Sequence, residues 1–91
     1  MKVAVIGVGH WGKNIARTLK ELDALEGLAE SSPEIRRRLA GDYPGIPLYD
    51  DYRPLLATEI PAVAIATPGP LHYEIARAAL LAGKDVFVEK P

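Results

Sequence analysis

The chain has 91 residues, a net charge of −1, and 48% hydrophobic against 25% charged positions, the balance of an ordinary soluble globular domain. With no long block of one charge sign, no cysteine and no apolar run near the ~18 residues of a membrane span, it offers no nucleic-acid or membrane surface, disulfide or thiolate chemistry. One small domain over residues 1–91 is expected. A cytoplasmic location follows as well, because the first strand begins at Lys2 and leaves no room for a secretion signal.

The first predicted strand, 2–6, carries the β-branched run Val3-Ala4-Val5-Ile6 straight into Gly7-Val8-Gly9-His10-Trp11-Gly12. This is G-x-G-x-x-G between a strand and a helix, the arrangement of a dinucleotide-binding turn. Gly7 suits a backbone conformation closed to residues with a Cβ, Gly9 lets a diphosphate approach the main chain, and Gly12 lets the helix pack closely on the strand. The helix N-terminus then offers N–H groups and a positive dipole end to an anion. A helix over 11–22 follows, with Ile15, Leu19 and Leu22 on one face.

The second strand, 25–30, ends at Glu30, which lies 23 residues beyond Gly7. A carboxylate there accepts the hydroxyls of an adenosine ribose and repels a 2′-phosphate, favouring NAD over NADP. A solvent-exposed glutamate is the plainer alternative. Ser31, Ser32 and Arg36-Arg37-Arg38 offer a way to hold a phosphate, although three adjacent arginines fan out over most of a helical turn and read better as a solvated face. Ser32-Pro33 reads as an N-cap with proline at the first helical position, opening a helix over 33–41. Strand 46–49 follows Pro44 and Gly45. Asp50-Asp51 caps a helix over 51–57 and makes a poor metal pair without histidine or further acids. Strand 62–66 and strand 85–88 are apolar on both faces, as in a sheet covered on both sides. The helix between them, 70–82, turns Leu71, Ile75, Ala78, Ala79 and Ala82 inward and stops at Gly83. The fold class is therefore α/β, a doubly wound parallel sheet of the Rossmann type truncated at about five strands. The open edge of the fifth strand is an association hazard; a homo-oligomer is one way to cover it, and the sequence does not show whether a partner chain does so.

Ligands of open α/β sheets sit at the carboxyl ends of the strands. Three segments meet there: Gly7–Gly12, Thr67-Pro68-Gly69-Pro70-Leu71-His72, and Glu89-Lys90-Pro91. Thr67 and Pro68 suit either the cofactor or a helix cap. His72, in the first helical turn, lies near the expected nicotinamide position or serves as a surface residue. Lys90, just beyond a buried strand, is placed to donate a proton or hydrogen bond to an alkoxide or carbonyl, the alternative being a lysine in water. Trp11 forms a pocket wall or packs the first helix; the sequence does not separate the two.

With these blocks assembled, the chain resembles the N-terminal domain of the glucose–fructose oxidoreductase/inositol dehydrogenase (Gfo/Idh/MocA) family over its whole length. The resemblance rests on Val5 to Gly12, on Glu30, on Tyr49-Asp50-Asp51-Tyr52, on Ala66 to His72 and on Ala82 to Pro91. It implies NAD(P) binding and hydride transfer from a sugar, nucleotide sugar or polyol hydroxyl. It also implies that Lys90, the lysine of the E-K-P motif beside Glu89, touches the cofactor and assists proton transfer, and that Lys90-Pro91 is often cis. Trp11-Gly12-Lys13-Asn14 is similar to members acting on nucleotide-linked amino sugars. Three departures matter: Glu30 stands for the commoner aspartate, Ser31-Ser32 stands where a polar or acidic pair is usual, and the family's further strands and C-terminal substrate domain are not in these 91 residues. The 91 residues are accordingly expected to be a fragment that binds dinucleotide without turning over a sugar. A non-catalytic dinucleotide-binding or sensing module is the competing reading, and Lys90 separates the two, since a sensor has no use for it.

Overall fold

The computed structural model describes residues 2–88. Strands and helices alternate: β1 (Val3–Ile6), α1 (Gly12–Glu21), β2 (Leu25–Ala29), α2 (Pro33–Asp42), β3 (Leu48–Tyr49), α3 (Tyr52–Leu56), β4 (Ala62–Ile65), α4 (Gly69–Leu81) and β5 (Asp85–Val88). The strands form one sheet in the order β3-β2-β1-β4-β5, all pairs parallel. The order reverses at β1, so the loops after β1 and β4 diverge there and leave a crevice.

β1 is buried along its whole length because it has neighbours on both edges and helices on both faces. Alternation sends Ala4 and Ile6 toward α3 and α4, where they meet Leu55, Leu56, Ile75 and Ala79. Val5 faces the other way, toward Ala16, Leu28 and Leu39, and Val3 packs beside Ile15 and Leu19. Among the largest fully buried side chains are Val5, Ile6, Val8, Val63 and Ile65. Burying such a side chain is worth about 1.5–3 kcal/mol. The firmest part of the core therefore lies directly beneath the glycine loop and holds it in place.

Helix caps follow the chemistry of the sequence. The Ser32 hydroxyl accepts from the Ile35 amide at 3.3 Å, with Pro33 at the first helical position. Asp51 accepts from the Arg53 amide at 2.8 Å. Four expectations are corrected. β3 begins at Leu48 rather than 46, because the Ile46 amide closes a turn onto the Tyr43 carbonyl and Pro47 has no N–H to give. Leu22 is 69% exposed, because α1 ends at Glu21 and the chain turns at Asp23, φ 57°. Ala82 likewise follows the end of α4 and is exposed. Strand β5 is an edge strand: Val86 packs against the α3–α4 side, while Phe87 and Val88 are half exposed. Among the described residues no helix is long and apolar enough to cross a membrane, and no cluster of metal-ligating side chains occurs.

Candidate cofactor site

A cavity of about 640 Å³ opens at the carboxyl ends of β1, β2 and β4. Its floor is the glycine loop. Gly7 has φ +87°, and a Cβ there would press on Thr67 at 2.7 Å, so both backbone and space exclude any larger residue. A Cβ at Gly12 would overlap the Gly7 carbonyl, which fixes the close approach of α1 to β1. At Gly9 the reverse holds: a Cβ would meet nothing within 4 Å, so the main chain there is open toward the cavity it lines. Hydrogen bonding into α1 starts with the Lys13 amide on the Gly9 carbonyl. The helix has no side-chain cap and no acid in its first turn. Its positive end thus has no acidic group of its own, and the loop leading into it lines the cavity.

Glu30 stands at the end of β2, on the cavity wall. Its carboxylate accepts from the Val8 amide at 2.7 Å and from the Ser32 amide at 2.9 Å. Arg36 folds back from α2, its Nη1 donating to the carbonyls of Glu30 at 2.8 Å and Ser31 at 2.9 Å. Of the three arginines only Arg37 and Arg38 are solvated; Arg36 is half-buried, correcting the expectation for the run. The reason is that it sits in the first turn of α2, within reach of carbonyls that the strand leaves free.

Gly7, Gly9, His10, Trp11, Glu30, Ser31, Thr67 and Pro68 all line the cavity. Trp11, 54% exposed, forms part of its wall, edge-on to the His10 ring with centroids 5.5 Å apart. The Thr67 hydroxyl oxygen is buried and has no partner among the described residues. Gly12, buried at the start of α1, is not part of the cavity lining. His72 does not line the cavity; the helical phase of α4 presents Leu71, Glu74 and Ile75 instead. Glu89, Lys90, Pro91 and the cis Lys90-Pro91 expectation lie outside the described residues. The reading of the residues alone missed part of the cavity lining, Tyr52 and Glu74, where the Tyr52 hydroxyl donates to the Glu74 carboxylate at 3.1 Å. Extending the strand-end rule to β3 reaches Asp50, Asp51 and Tyr52. Glu74 follows from the phase of α4.

Open space over the main chain at Gly9, a helix end with no acid of its own, a carboxylate at the neighbouring strand end and an unpartnered hydroxyl fit a dinucleotide. A family model described as the oxidoreductase family with an NAD-binding Rossmann fold, GFO_IDH_MocA, matches residues 1–91. The chain belongs to this family. Its Gfo/Idh/MocA relatives include the UDP-N-acetylglucosamine 3-dehydrogenase of Acidithiobacillus ferrooxidans, 32% identical over the whole chain and 28% of that protein. An inositol 2-dehydrogenase of Streptomyces avermitilis is 32% identical over 98% of the chain and 27% of its own length. A crystal structure of a probable dehydrogenase from Thermotoga maritima superposes with a TM-score of 0.92 at 27% identity, covering 100% of this chain and 28% of that one. The chain thus spans little more than a quarter of the length of these relatives.

Proposed function

We propose that this chain is the NAD-holding part of an oxidoreductase that acts on a hydroxyl of a sugar, nucleotide sugar or polyol. Glu30 carries the reading. A carboxylate at the end of β2, next to a glycine loop and facing the cavity, suits the two hydroxyls of an adenosine ribose and disfavours a 2′-phosphate. The bare main chain at Gly9 and the N-terminus of α1 suit the diphosphate. The apolar wall of Ala29, Ile35, Leu71 and Ile75 suits the adenine. The names of the relatives, a UDP-N-acetylglucosamine dehydrogenase and inositol dehydrogenases, support the substrate class. When bound, the nicotinamide supplies a two-electron hydride acceptor. The chain's own contribution is to hold that ring against the substrate and, through Lys90, to take the proton of the hydroxyl being oxidised. A cytoplasmic site of action goes with this reading.

Titration calorimetry with NAD and NADP tests it. Tighter binding of NAD is expected, and equal or tighter binding of NADP overturns the assignment of Glu30.

Gly9→Ala gives a second check. Its methyl fits the free chain, since nothing lies within 4 Å, but occupies the space of the diphosphate. The fold should be kept and NAD affinity should fall by well over tenfold, about 1.4 kcal/mol or more. Unchanged binding would place the diphosphate elsewhere.

A further inference from the structure

The Val8 amide sits just past the end of β1, in a residue with no exposed surface. The preceding amide, Gly7, still bonds to the sheet through the Ala29 carbonyl at 2.8 Å. Val8 has no strand partner to continue that ladder, and its N–H ends instead on Glu30 Oε1 at 2.7 Å. The other carboxylate oxygen takes the Ser32 amide, and Ser32 is the N-cap of α2. One side chain therefore joins the glycine loop to the start of α2. Arg36 in turn clamps the backbone on which that side chain hangs.

We infer that Glu30 is a positioning residue for the diphosphate, holding the glycine loop through the Val8 amide, in addition to its part at the ribose. The inference rests on the NAD reading above. A buried N–H left without an acceptor costs about 1–3 kcal/mol, so a chain lacking the carboxylate relieves it by shifting Val8 toward water. The main chain at Gly9 moves with it, because Gly9 is the next residue in the chain. The diphosphate cradle is then misplaced even for a ligand that never touches Glu30.

An NAD analogue whose adenosine ribose lacks both the 2′- and 3′-hydroxyls separates the two roles. If Glu30 acted on the ribose alone, Glu30→Ala would leave the affinity for this analogue unchanged. The expected result is a loss of roughly tenfold in analogue binding, with faster hydrogen exchange at the Val8 amide in the ligand-free chain. Glu30→Gln keeps the shape and one acceptor oxygen, enough for one of the two amides, and should fall between wild type and alanine in both readouts. Wild-type-like analogue binding by Glu30→Ala, or by Glu30→Gln if the alanine chain does not fold, overturns the inference. A wild-type chain that fails to bind NAD itself overturns the proposed function instead, so the two failures are distinct.

Discussion

A Gly12→Val chain is expected to lose NAD binding and to be less stable by about 3 kcal/mol or more, the upper range for overpacking a closed site. The added side chain would run into the Gly7 carbonyl and lie 3.4 Å from Ala66, and the first of these is backbone that cannot swing aside. In a domain of this size each kcal/mol moves the melting temperature by roughly 4–8 °C, so a drop of at least about 12 °C should be seen. Gly41→Ala is the control. It lies within α2, a Cβ there meets nothing within 4 Å, and alanine favours a helix over glycine by about 0.5–1 kcal/mol. That variant should melt slightly higher than wild type. A Gly12→Val chain with wild-type melting would mean that α1 does not need its close approach to β1.

The second large effect concerns chemistry. In an enzyme carrying the full length of the family, Lys90→Met should cut turnover by roughly 10²-fold or more, the usual loss when a positioned proton donor or acceptor is removed. Methionine keeps most of the side-chain length while removing the charge and the N–H donors. NAD affinity should change far less, because the glycine loop and Glu30 carry the cofactor contacts in this account. The expectation comes from the match of Glu89-Lys90-Pro91 to the E-K-P motif, and stopped-flow turnover paired with calorimetry checks it. Full turnover in Lys90→Met would move proton transfer to another group. Loss of NAD binding in step with turnover would make Lys90 a cofactor anchor instead.

Local pattern made much of this fold legible, and the reasons are specific. The four residues Val3 to Ile6 read as a buried strand because no polar residue interrupts them, and the glycines that follow have steric roles that their spacing announces. Caps at Ser32 and Asp51 read directly, since their side chains bond amides two or three residues away. What depends on strand order did not read. Phe87 looks as apolar as Val63, yet one lies on an edge and the other beside β1, and nothing within either strand records this. Leu22 and Ala82 keep the helical phase but fall just after their helices end. At the site, Glu30 was recognisable from its distance to Gly7. Its bond to Val8, 22 residues away, was not, because it depends on how the β1 and β2 loops lie together in space. The Tyr52–Glu74 pair, 22 residues apart, is hidden for the same reason.

The central claim is that the glycine loop and Glu30 together hold NAD. Titrating the isotopically labelled chain with NAD and following its backbone amides by NMR tests this most directly. Saturable shifts are predicted at Gly9, His10, Trp11, Gly12 and Ser31, with the amides of β5 nearly still. Saturable binding that leaves the Gly9–Gly12 amides unmoved, or no binding at all, would contradict it.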